Sequence, residues 1–496
     1  MKNHTRMVTL VLAMSIAAGL FSCGENEPEQ KKDSTTAPDT TETTASDLNI
    51  MEQRELLDDG LGEKDFGGAE FNIITEKQAI ADLFVSEEEN GDLVNDVVYR
   101  RMVEIEDRFK IKIKTTVTGI ESSQHTRQLA TLIYAGDDTY DLCQMHSMEG
   151  PNIALQGGLV NLYDVDQIDF SQPWWLDYIV DEQTFMGQLY CFNSPIETNV
   201  ISGGIILFFN RDLIENRKLD DPYTLVKSGS WTMDKFYGMT KDVYEDLNGS
   251  GSADMDDLYG YAGFIGESYY TPVSAGLKII EKGKDSLELT VNNERTVSFI
   301  EKWYQIYKSP SSHIKKEWAT DEQEELFKNG RAMFVEGDVN SISSKYRDCD
   351  INFGMIPMPK LDENQEDYYT MGGRTQYGIP VTVKNLEMSG TIVEAMTCSG
   401  YKTLLPTYYE MALKNKYLRD EEHYEEALEA LDIIERSLSI PFWYTFGNWN
   451  LFHKMMTDLY SKDSTDFASY YEKNKNTALN RLQEITEFFS ENKSGD

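Results

Sequence analysis

The stretch from Phe71 to Thr115 constrains the fold most, because its hydrophobic period changes twice within about fifty residues. A short apolar run over residues 71–74 is typical of a strand. Apolar residues then recur at helical spacing over residues 94–109, and strand-like alternation returns over residues 111–115. This order of strand, helix and strand predicts a βαβ unit and therefore an α/β fold with mostly parallel sheets.

Later parts of the chain repeat the alternation. The apolar run over residues 203–209 is typical of a fully buried parallel strand. The part after residue 300 is rich in helical periodicity, which predicts a helix-rich C-terminal region. Further short strands are expected at residues 140–143, 331–335, 353–356 and 378–383.

The first 66 residues are expected to contribute nothing to the core. A basic start precedes an apolar run, residues 7–21, of the length of a signal-peptide core. The run is shorter than the roughly 20 residues of a membrane span, and no stop-transfer pattern follows, so we favour a signal peptide over an uncleaved anchor helix. Residues 24–47 are almost entirely polar and predict a solvated tether.

The end of the apolar run, Leu20-Phe21-Ser22-Cys23-Gly24, resembles the lipobox of bacterial lipoproteins. In that family the chain is cut before the cysteine, which then receives the lipids. The resemblance implies a lipoprotein signal peptide over 1–22, lipidation at Cys23 and a tether over 23–66. It also implies an extracytoplasmic protein that is lipid-anchored to the bacterial cell membrane.

The chain is strongly acidic, with a formal net charge of −39. Such a surface repels nucleic acid and anionic lipid, so no nucleic-acid partner is expected. The sequence carries no P-loop, HExxH, GxSxG or CxxC motif, and we therefore expect no enzymatic activity. Four cysteines besides Cys23 leave either disulfides or isolated buried thiols open: Cys143, Cys191, Cys349 and Cys398.

Six short segments follow one another along the chain. They are Ala135-Gly-Asp-Asp-Thr-Tyr-Asp-Leu142, Gly157-Gly-Leu-Val-Asn-Leu162, Phe208-Phe-Asn-Arg-Asp-Leu213, Gly229-Ser-Trp-Thr-Met-Asp-Lys-Phe236, Phe327-Lys-Asn-Gly-Arg-Ala-Met333 and Met355-Ile-Pro-Met-Pro-Lys360. Singly each is a weak signal. In this order and spacing, within residues 67–400, they resemble the extracellular solute-binding proteins of bacterial ABC importers, in the family 1 branch that handles carbohydrates.

The resemblance implies a two-lobed periplasmic-binding-protein-like fold with a hinge between the lobes. We assign residues 67–204 plus about 371–400 to the first lobe, and 205–370 plus about 401–492 to the second. It further implies capture of a carbohydrate, an oligosaccharide in our interpretation, in the cleft between the lobes, and its delivery to ABC permease subunits. We expect the protein to be a monomer.

The expected ligand residues come from this resemblance and from strand ends. Phe442-Trp443-Tyr444 resembles the segment that stacks sugar in maltose-binding proteins, although core packing is an equal alternative. Ligands of open α/β sheets bind at the carboxyl ends of strands. Arg374 either reaches the cleft or pairs with an acid. The candidate ligand-binding residues are Trp443, Tyr444, Trp449, His146, Asp338 and Arg374.

The segment Asp246–Asp257 resembles the calcium loop of EF-hands, with Gly251 at the sharp turn. Serine at position 5 and aspartate at position 12 depart from that pattern and would weaken affinity. An Asp/Gly-rich surface turn has the same composition. The prediction is structural Ca²⁺, held by Asp246, Asn248, Ser250, Ser252, Asp254 and Asp257.

Tryptophans elsewhere are expected to be structural. Thr232 is a good N-cap, and Trp231 before it is expected to pack as a staple. Trp174 and Trp175 follow Pro173 and are expected at a helix start.

Two other functions remain open from the sequence. A secreted glycoside hydrolase needs only two carboxylates at a fixed separation, and the chain has 85 acidic residues. A surface glycan-binding lipoprotein without a transporter has similar length and anchoring, although the predicted strands disfavour its helical-repeat form.

Overall fold

The computed structural model describes residues 50–316, 320–417 and 423–492. The signal peptide, Cys23 and residues 23–49 of the expected tether therefore lie outside the described residues. Residues 50–66 differ from the expected tether: Ile50–Glu55 is a helix, Asp59 pairs with Arg108 at 2.7 Å, and apolar side chains pack against the core at Leu57, Leu61 and Phe66. None of the helices in the described ranges has the length and apolar character that a membrane crossing requires. The strands are β1 Ala69–Thr75, β2 Ile111–Val117, β3 Leu142–His146, β4 Ile205–Asn210, β5 Tyr259–Phe264, β6 Ile280–Lys282, β7 Leu287–Leu289, β8 Ser312–Lys315, β9 Ala332–Asp338, β10 Phe353–Pro357, β11 Thr370–Met371, β12 Thr375–Gly378 and β13 Leu438–Ser439.

Helices surround these strands and dominate the chain after β12, which confirms the helix-rich C-terminal part. The α-helices are Ile50–Glu55, Gln78–Ala81, Leu93–Phe109, Ser122–Tyr134, Gly150–Leu155, Asp177–Gln183, Asn199–Ser202, Arg211–Asn216, Pro222–Lys227, Met233–Thr240, Thr271–Ser274, Glu294–Tyr307, Glu322–Lys328, Ser341–Ser344, Leu386–Ser399, Leu405–Tyr417, Tyr424–Arg436, Phe442–Phe446, Met455–Ser461 and Phe467–Glu491. Short helices of other types are Leu162–Asp164, Pro173–Trp175, Ile265–Tyr269 and Gly400–Leu404.

Two mixed sheets organise the described chain. The four-stranded sheet has the order β12-β3-β1-β2, and the five-stranded sheet has the order β10-β4-β9-β5-β8. The predicted βαβ unit is confirmed, because β1 and β2 pair in parallel from Ala69 opposite Ile111 to Thr75 opposite Val117. Four of the seven pairings in these sheets are parallel and three are antiparallel.

Two predictions about strands are wrong: the parallel direction of the strand at 203–209 and the bounds of the strand at 378–383. The apolar run at 203–209 forms β4, but β4 runs antiparallel to both β9 and β10. Complete burial produced the apolar run, and burial alone does not define strand direction. The strand expected at 378–383 lies at Thr375–Gly378, ahead of Pro380, which has no N–H to donate to a sheet ladder.

The chain passes closely by itself where it connects the two sheets. Gly203 precedes β4 and Gly373 precedes β12, and the two segments touch. A Cβ atom on Gly373 would lie 1.9 Å from the Asn199 carbonyl oxygen, and one on Gly203 would lie 2.8 Å from Gly373 Cα. Glycine is therefore required at both positions by space.

The tryptophans expected to be structural are buried. Trp231 is fully buried, donates from Nε1 to the Pro357 carbonyl at 2.9 Å and stacks on Phe334. Thr232 caps the following helix by accepting a hydrogen bond from the Lys235 N–H at 3.3 Å. Both predictions are confirmed.

Trp174 and Trp175 anchor a buried carboxylate. Their Nε1 atoms donate to the two oxygens of Glu394 at 2.9 and 2.8 Å. Burial raises the pKa of Glu394 to about 7, and the two indole donors oppose that rise. The tryptophans therefore join the segment after Pro173 to helix Leu386–Ser399, which confirms a structural role.

The four cysteines in the described part of the chain are isolated buried thiols and form no disulfides with one another. Cys143, Cys191, Cys349 and Cys398 are free and buried. Burial raises the pKa of the Cys143 and Cys398 thiols to about 12, so these thiols stay protonated and inert.

Candidate functional site

Two candidate ligand residues lie side by side where the four-stranded sheet ends. His146 is the last residue of β3 and pairs with Thr375, the first residue of the antiparallel strand β12. Arg374 immediately precedes β12, and its carbonyl accepts a hydrogen bond from the Ser147 N–H at 3.0 Å. Burial lowers the pKa of His146, and Arg374 lowers it further while Glu149 opposes the change. The pairing of β3 with β12 therefore places an imidazole beside a guanidinium.

The five-stranded sheet contributes two tyrosines at the same place. Tyr269 ends the short helix Ile265–Tyr269, which directly follows the carboxyl end of β5, and Tyr270 comes next. The Arg374 Nη1 donates to Tyr270 Oη at 2.8 Å, and the guanidinium lies 5.1 Å from the Tyr270 ring centre. The ends of the two sheets therefore meet at this contact.

A group of rings extends from Tyr270, and we call it the aromatic cluster. His453 lies among three of its rings, with centre-to-centre distances of 5.2 Å to Trp443, 5.7 Å to Tyr444 and 5.9 Å to Trp449. Tyr269 lies 5.1 Å from Trp449, and Tyr270 lies 6.0 Å from Tyr444. The members are Tyr269, Tyr270, Trp443, Tyr444, Trp449 and His453.

The aromatic cluster has a buried base and a more accessible edge. Trp443, Tyr444 and His453 are buried, whereas Tyr269 and Trp449 are only partly buried. Burial raises the pKa of Tyr444 well above its usual range. It lowers the pKa of His453 to about 4, although the Tyr444 carbonyl 3.0 Å from Nε2 opposes this. The imidazole is therefore neutral at physiological pH and packs as a ring.

Trp443 also lines a cavity of about 580 Å³, with Tyr369, Phe442 and Glu182 among its other walls. Glu182 belongs to helix Asp177–Gln183 and accepts hydrogen bonds from Ser439 Oγ at 2.6 Å and from the Ile440 N–H at 2.5 Å. Trp443 is only 4% exposed, so most of its surface is packed against protein.

Asp338 is positioned differently from the prediction. The sequence predicts a strand that ends at residue 335, with Asp338 beyond it. Instead β9 continues through Asp338, which pairs with Ile205 of β4. Glu336 is buried inside this strand and accepts from Tyr261 Oη at 2.7 Å. Asp338 accepts from Ser341 Oγ at 2.8 Å, and no ring contact or hydrogen bond links it to the aromatic cluster within the described residues. The structure therefore brings five of the six candidates together and leaves Asp338 apart.

Sequence reasoning missed Tyr269, Tyr270 and His453. The two tyrosines follow a glycine-rich strand, and the rule that ligands bind at carboxyl ends of strands would have found them. His453 had no such signal, because its position depends on the turn after Trp449. Asn448 and Trp449 both adopt positive φ there, a conformation that sequence does not predict for these residues.

The segment expected to bind calcium forms a closely hydrogen-bonded loop. Asp246 Oδ1 accepts from the Gly249 N–H at 2.7 Å, and Oδ2 accepts from the Gly251 N–H at 2.8 Å. Asp257 is buried, and its Oδ2 accepts from Tyr244 Oη at 2.9 Å. Within the described ranges, no group of three or more His, Cys, Asp or Glu side chains is arranged to hold a metal ion. The Ca²⁺ site stays a prediction. The carboxylate of Asp257, at position 12 of the loop, accepts hydrogen bonds from other groups of the protein.

The chain has curated sequence relatives among sugar-binding lipoproteins, whereas no family model matches it. It is 23% identical over 227 residues to a maltooligosaccharide ABC transporter solute-binding lipoprotein of Streptococcus pneumoniae, covering 44% of this chain and 47% of the relative. It is 23% identical over 210 residues to the maltodextrin-binding protein MdxE of Bacillus subtilis, covering 40% and 43% respectively. The chain thus spans slightly less than half the length of these relatives.

Solved structures resemble a much larger part of the chain. The maltose/maltodextrin-binding domain of Bdellovibrio bacteriovorus, bound to maltotriose, matches with a TM-score of 0.55 and 14% identity, covering 84% of this chain and 100% of that one. The galacto-N-biose-/lacto-N-biose I-binding protein of a Bifidobacterium longum ABC transporter matches with a TM-score of 0.55 and 12% identity, covering 85% and 98%. The chain therefore has the two-lobed fold of these carbohydrate-binding proteins, and its curated relatives include a solute-binding lipoprotein of an ABC transporter and a maltodextrin-binding protein.

Proposed function

We propose that this chain is the lipid-anchored substrate-binding protein of an ABC importer, and that it captures an oligosaccharide between its lobes for delivery to a permease. The observation that carries the proposal is the meeting of the two sheet ends at the Arg374–Tyr270 contact, next to the aromatic cluster. Sugars present apolar C–H faces and a rim of hydroxyls, which rings and hydrogen-bonding side chains recognise together.

The proposed lobes follow the two sheets. The first lobe comprises 67–204 plus about 371–400 and holds the four-stranded sheet; the second comprises 205–370 plus about 401–492 and holds the five-stranded sheet. Hinge closure of two such lobes around a ligand is a known mode of domain motion. The close passage of Gly203 and Gly373 supports a hinge at this position, since both segments connect the sheets.

The partly buried side chains form the proposed sugar-contacting edge. Trp449 and Tyr269 offer ring faces, and Arg374 and His146 offer nitrogen donors or acceptors. Trp443 and Tyr444 are proposed to support this edge from below and to meet sugar when the lobes separate. The curated relative from Streptococcus pneumoniae is named as a solute-binding protein, which supports binding without catalysis.

The anchor completes the proposal. Cleavage after residue 22 and lipidation of Cys23 would hold the receptor at the membrane on the segment between Cys23 and the helix that begins at Ile50, which raises its effective concentration near the permease. The proposed partners are the sugar, the permease subunits and the membrane through the lipid; a monomer suffices for this role. Ca²⁺ at the 246–257 loop is proposed as structural.

An oligosaccharide panel tests the function. The purified full chain is incubated with linear maltooligosaccharides of increasing length, and its melting temperature and the sugar products are measured together. Saturable stabilisation with chemically unchanged sugar is the expected result. Shorter sugar products would identify a glycoside hydrolase and contradict the proposal. In cells, loss of sugar uptake when an ABC permease is deleted would support the transporter role. Uptake that stays unchanged would favour a surface glycan-binding role.

A further inference from the structure

A second cavity lies apart from the candidate functional site. It has a volume of about 960 Å³, and none of the residues that line it belongs to the aromatic cluster or is His146 or Arg374. It is bounded by residues 170–178, by helix Leu405–Tyr417 and by helix Tyr424–Arg436. Its volume falls within the range of roughly 300–1,000 Å³ that is usual for small-molecule sites. We call it the Tyr178 cavity.

Aromatic rings form much of the wall of the Tyr178 cavity. Ring faces carry negative electrostatic potential, so a set of rings around one space favours a cation there. Burial raises the pKa of the Tyr178 and Tyr409 hydroxyls, which are therefore neutral at physiological pH. The five aromatic residues are Phe170, Tyr178, Tyr401, Tyr409 and Tyr424.

Among the described residues of the same wall, carboxyl groups outnumber cations. Two guanidinium groups, of Arg54 and Arg436, share the wall with four carboxyl side chains, of which Glu410 has a partner of its own and Glu435 pairs with Arg54. Burial raises the pKa of Glu435, and the neighbouring Asp432 raises it further, against the effect of Arg54. The carboxylates of Asp177 and Asp432 supply the negative charge that a cationic ligand would offset. The four acids are Asp177, Glu410, Asp432 and Glu435.

One cation of the protein already shows how this wall recognises positive charge. The Arg54 guanidinium lies 4.2 Å from the Tyr401 ring centre, and its Nη2 lies 3.5 Å from Glu435 Oε1. Arg54 is thus held between a ring face and a carboxylate. Nearby, the hydroxyl of Tyr409 is buried beside Glu435 and hydrogen-bonds to its carboxyl group, which helps to hold that carboxyl in the wall.

We propose that the Tyr178 cavity is a second ligand site, which binds a small organic cation carrying guanidinium or ammonium groups on an aliphatic chain. The cationic groups lie over the tyrosine faces and pair with Asp432 and its neighbouring acids, in the manner of Arg54. The aliphatic chain packs against Phe170 and the remaining rings. The strongly acidic protein surface steers such a cation toward the site. This inference is independent of the sugar-binding proposal.

Isothermal titration of the purified full chain with agmatine, which carries one guanidinium and one amine, tests the proposal. Two substitutions remove wall features at exposed positions and leave the fold intact: Asp432→Asn and Tyr424→Ala. Each is expected to weaken agmatine binding by about tenfold, which corresponds to loss of one cation–π or ion-pair contact. Saturating maltotriose is expected to leave the agmatine affinity unchanged.

Matched controls separate this site from general attraction to an acidic protein. Asp242→Asn removes an equally exposed charge outside the cavity, and Arg374→Ala changes the candidate sugar site. Both are expected to bind agmatine like the unmodified chain. Equal weakening by Asp242→Asn, competition by maltotriose or absence of saturable binding would each overturn the proposal. Loss of maltotriose binding in Tyr424→Ala with no effect on agmatine would assign the cavity to a sugar instead.

Discussion

Arg374 Nη1 donates a 2.8 Å hydrogen bond to Tyr270 Oη, and this bond joins the beginning of β12 in the four-stranded sheet to the segment that follows β5 in the five-stranded sheet. A guanidinium that also lies 5.1 Å from the ring centre gains cation–π attraction. The contact therefore connects the elements that the proposed hinge motion would move.

Arg374→Ala is expected to weaken oligosaccharide binding by roughly tenfold or more, because charged hydrogen bonds contribute about 1.5–3 kcal/mol. Titration calorimetry with maltotriose measures the change. Tyr270→Phe retains the ring and removes only Oη, so it is expected to have a smaller effect. Unchanged affinity in Arg374→Ala would show that the sugar binds elsewhere.

Trp449 and Trp443 are expected to respond differently to truncation. Trp449→Ala removes a partly buried ring at the edge of the aromatic cluster, so we expect weaker sugar binding with a small loss of stability. Trp443→Ala removes a buried ring and is expected to cost about 3–5 kcal/mol of unfolding free energy. Denaturant unfolding and sugar titration of both variants distinguish the roles; a stable Trp443→Ala variant with abolished binding would reverse the assignment.

Gly373→Ala is expected to destabilise the protein by more than about 2 kcal/mol, because the new methyl group would enter the space of the Asn199 carbonyl. Gly238→Ala is the matched control. Gly238 lies in helix Met233–Thr240, and a Cβ atom added there would have no other heavy atom within 4 Å, apart from its chain neighbours and the backbone of its own helix. There alanine is expected to stabilise by about 0.5–1 kcal/mol. Denaturant midpoints of the two variants provide the comparison. Similar midpoints would contradict a close crossing at Gly373.

Glu394 predicts a specific pH dependence of stability. Its folded pKa of about 7 exceeds the ordinary value of 4.5, so the folded state binds more protons between these pH values. The contribution of Glu394 to the free energy of unfolding is therefore highest below pH 4.5. It decreases by on the order of 3 kcal/mol as the pH rises toward 7. In Glu394→Gln this component disappears, while one indole N–H loses its acceptor at a cost of about 1–3 kcal/mol. Equal pH slopes for the two proteins, from urea unfolding between pH 4.5 and 7.5, would contradict the assignment.

The 246–257 loop is expected to bind Ca²⁺ weakly. With a dissociation constant near 1 mM, 10 mM Ca²⁺ would stabilise the folded state by about 1.4 kcal/mol. Thermal melts with Ca²⁺ and with a chelator measure this, and Asp246→Asn is expected to abolish the difference. Asp242→Asn, a neighbouring acid outside the loop, serves as the control. An identical shift with Mg²⁺, or one that persists in Asp246→Asn, would remove the calcium assignment.

The fold was more predictable from sequence than the site, and particular residues show why. The βαβ unit was recognisable because hydrophobic period is a local property, and Ile111 and Ile113 reveal it directly. The direction of β4 was not, since a strand covered on both faces has the same composition in either orientation. The site combines residues from distant segments, and its central ring, His453, depends on a turn with two positive φ angles. Such a turn is held by tertiary packing, which a local pattern does not contain.

The pairing of β12 with β3 also has a consequence for how the chain acquires its structure. During synthesis, β1, β2 and β3 emerge early, whereas Thr375–Gly378 follows only after the whole five-stranded sheet. Until then β3 presents an open row of backbone donors and acceptors, which is a template for association with other chains. Long-range pairing of this kind folds slowly. A chain that stops before Thr375 would therefore aggregate more readily than one that ends after Gly378, and the four residues that place Arg374 beside Tyr270 also protect the newly made protein.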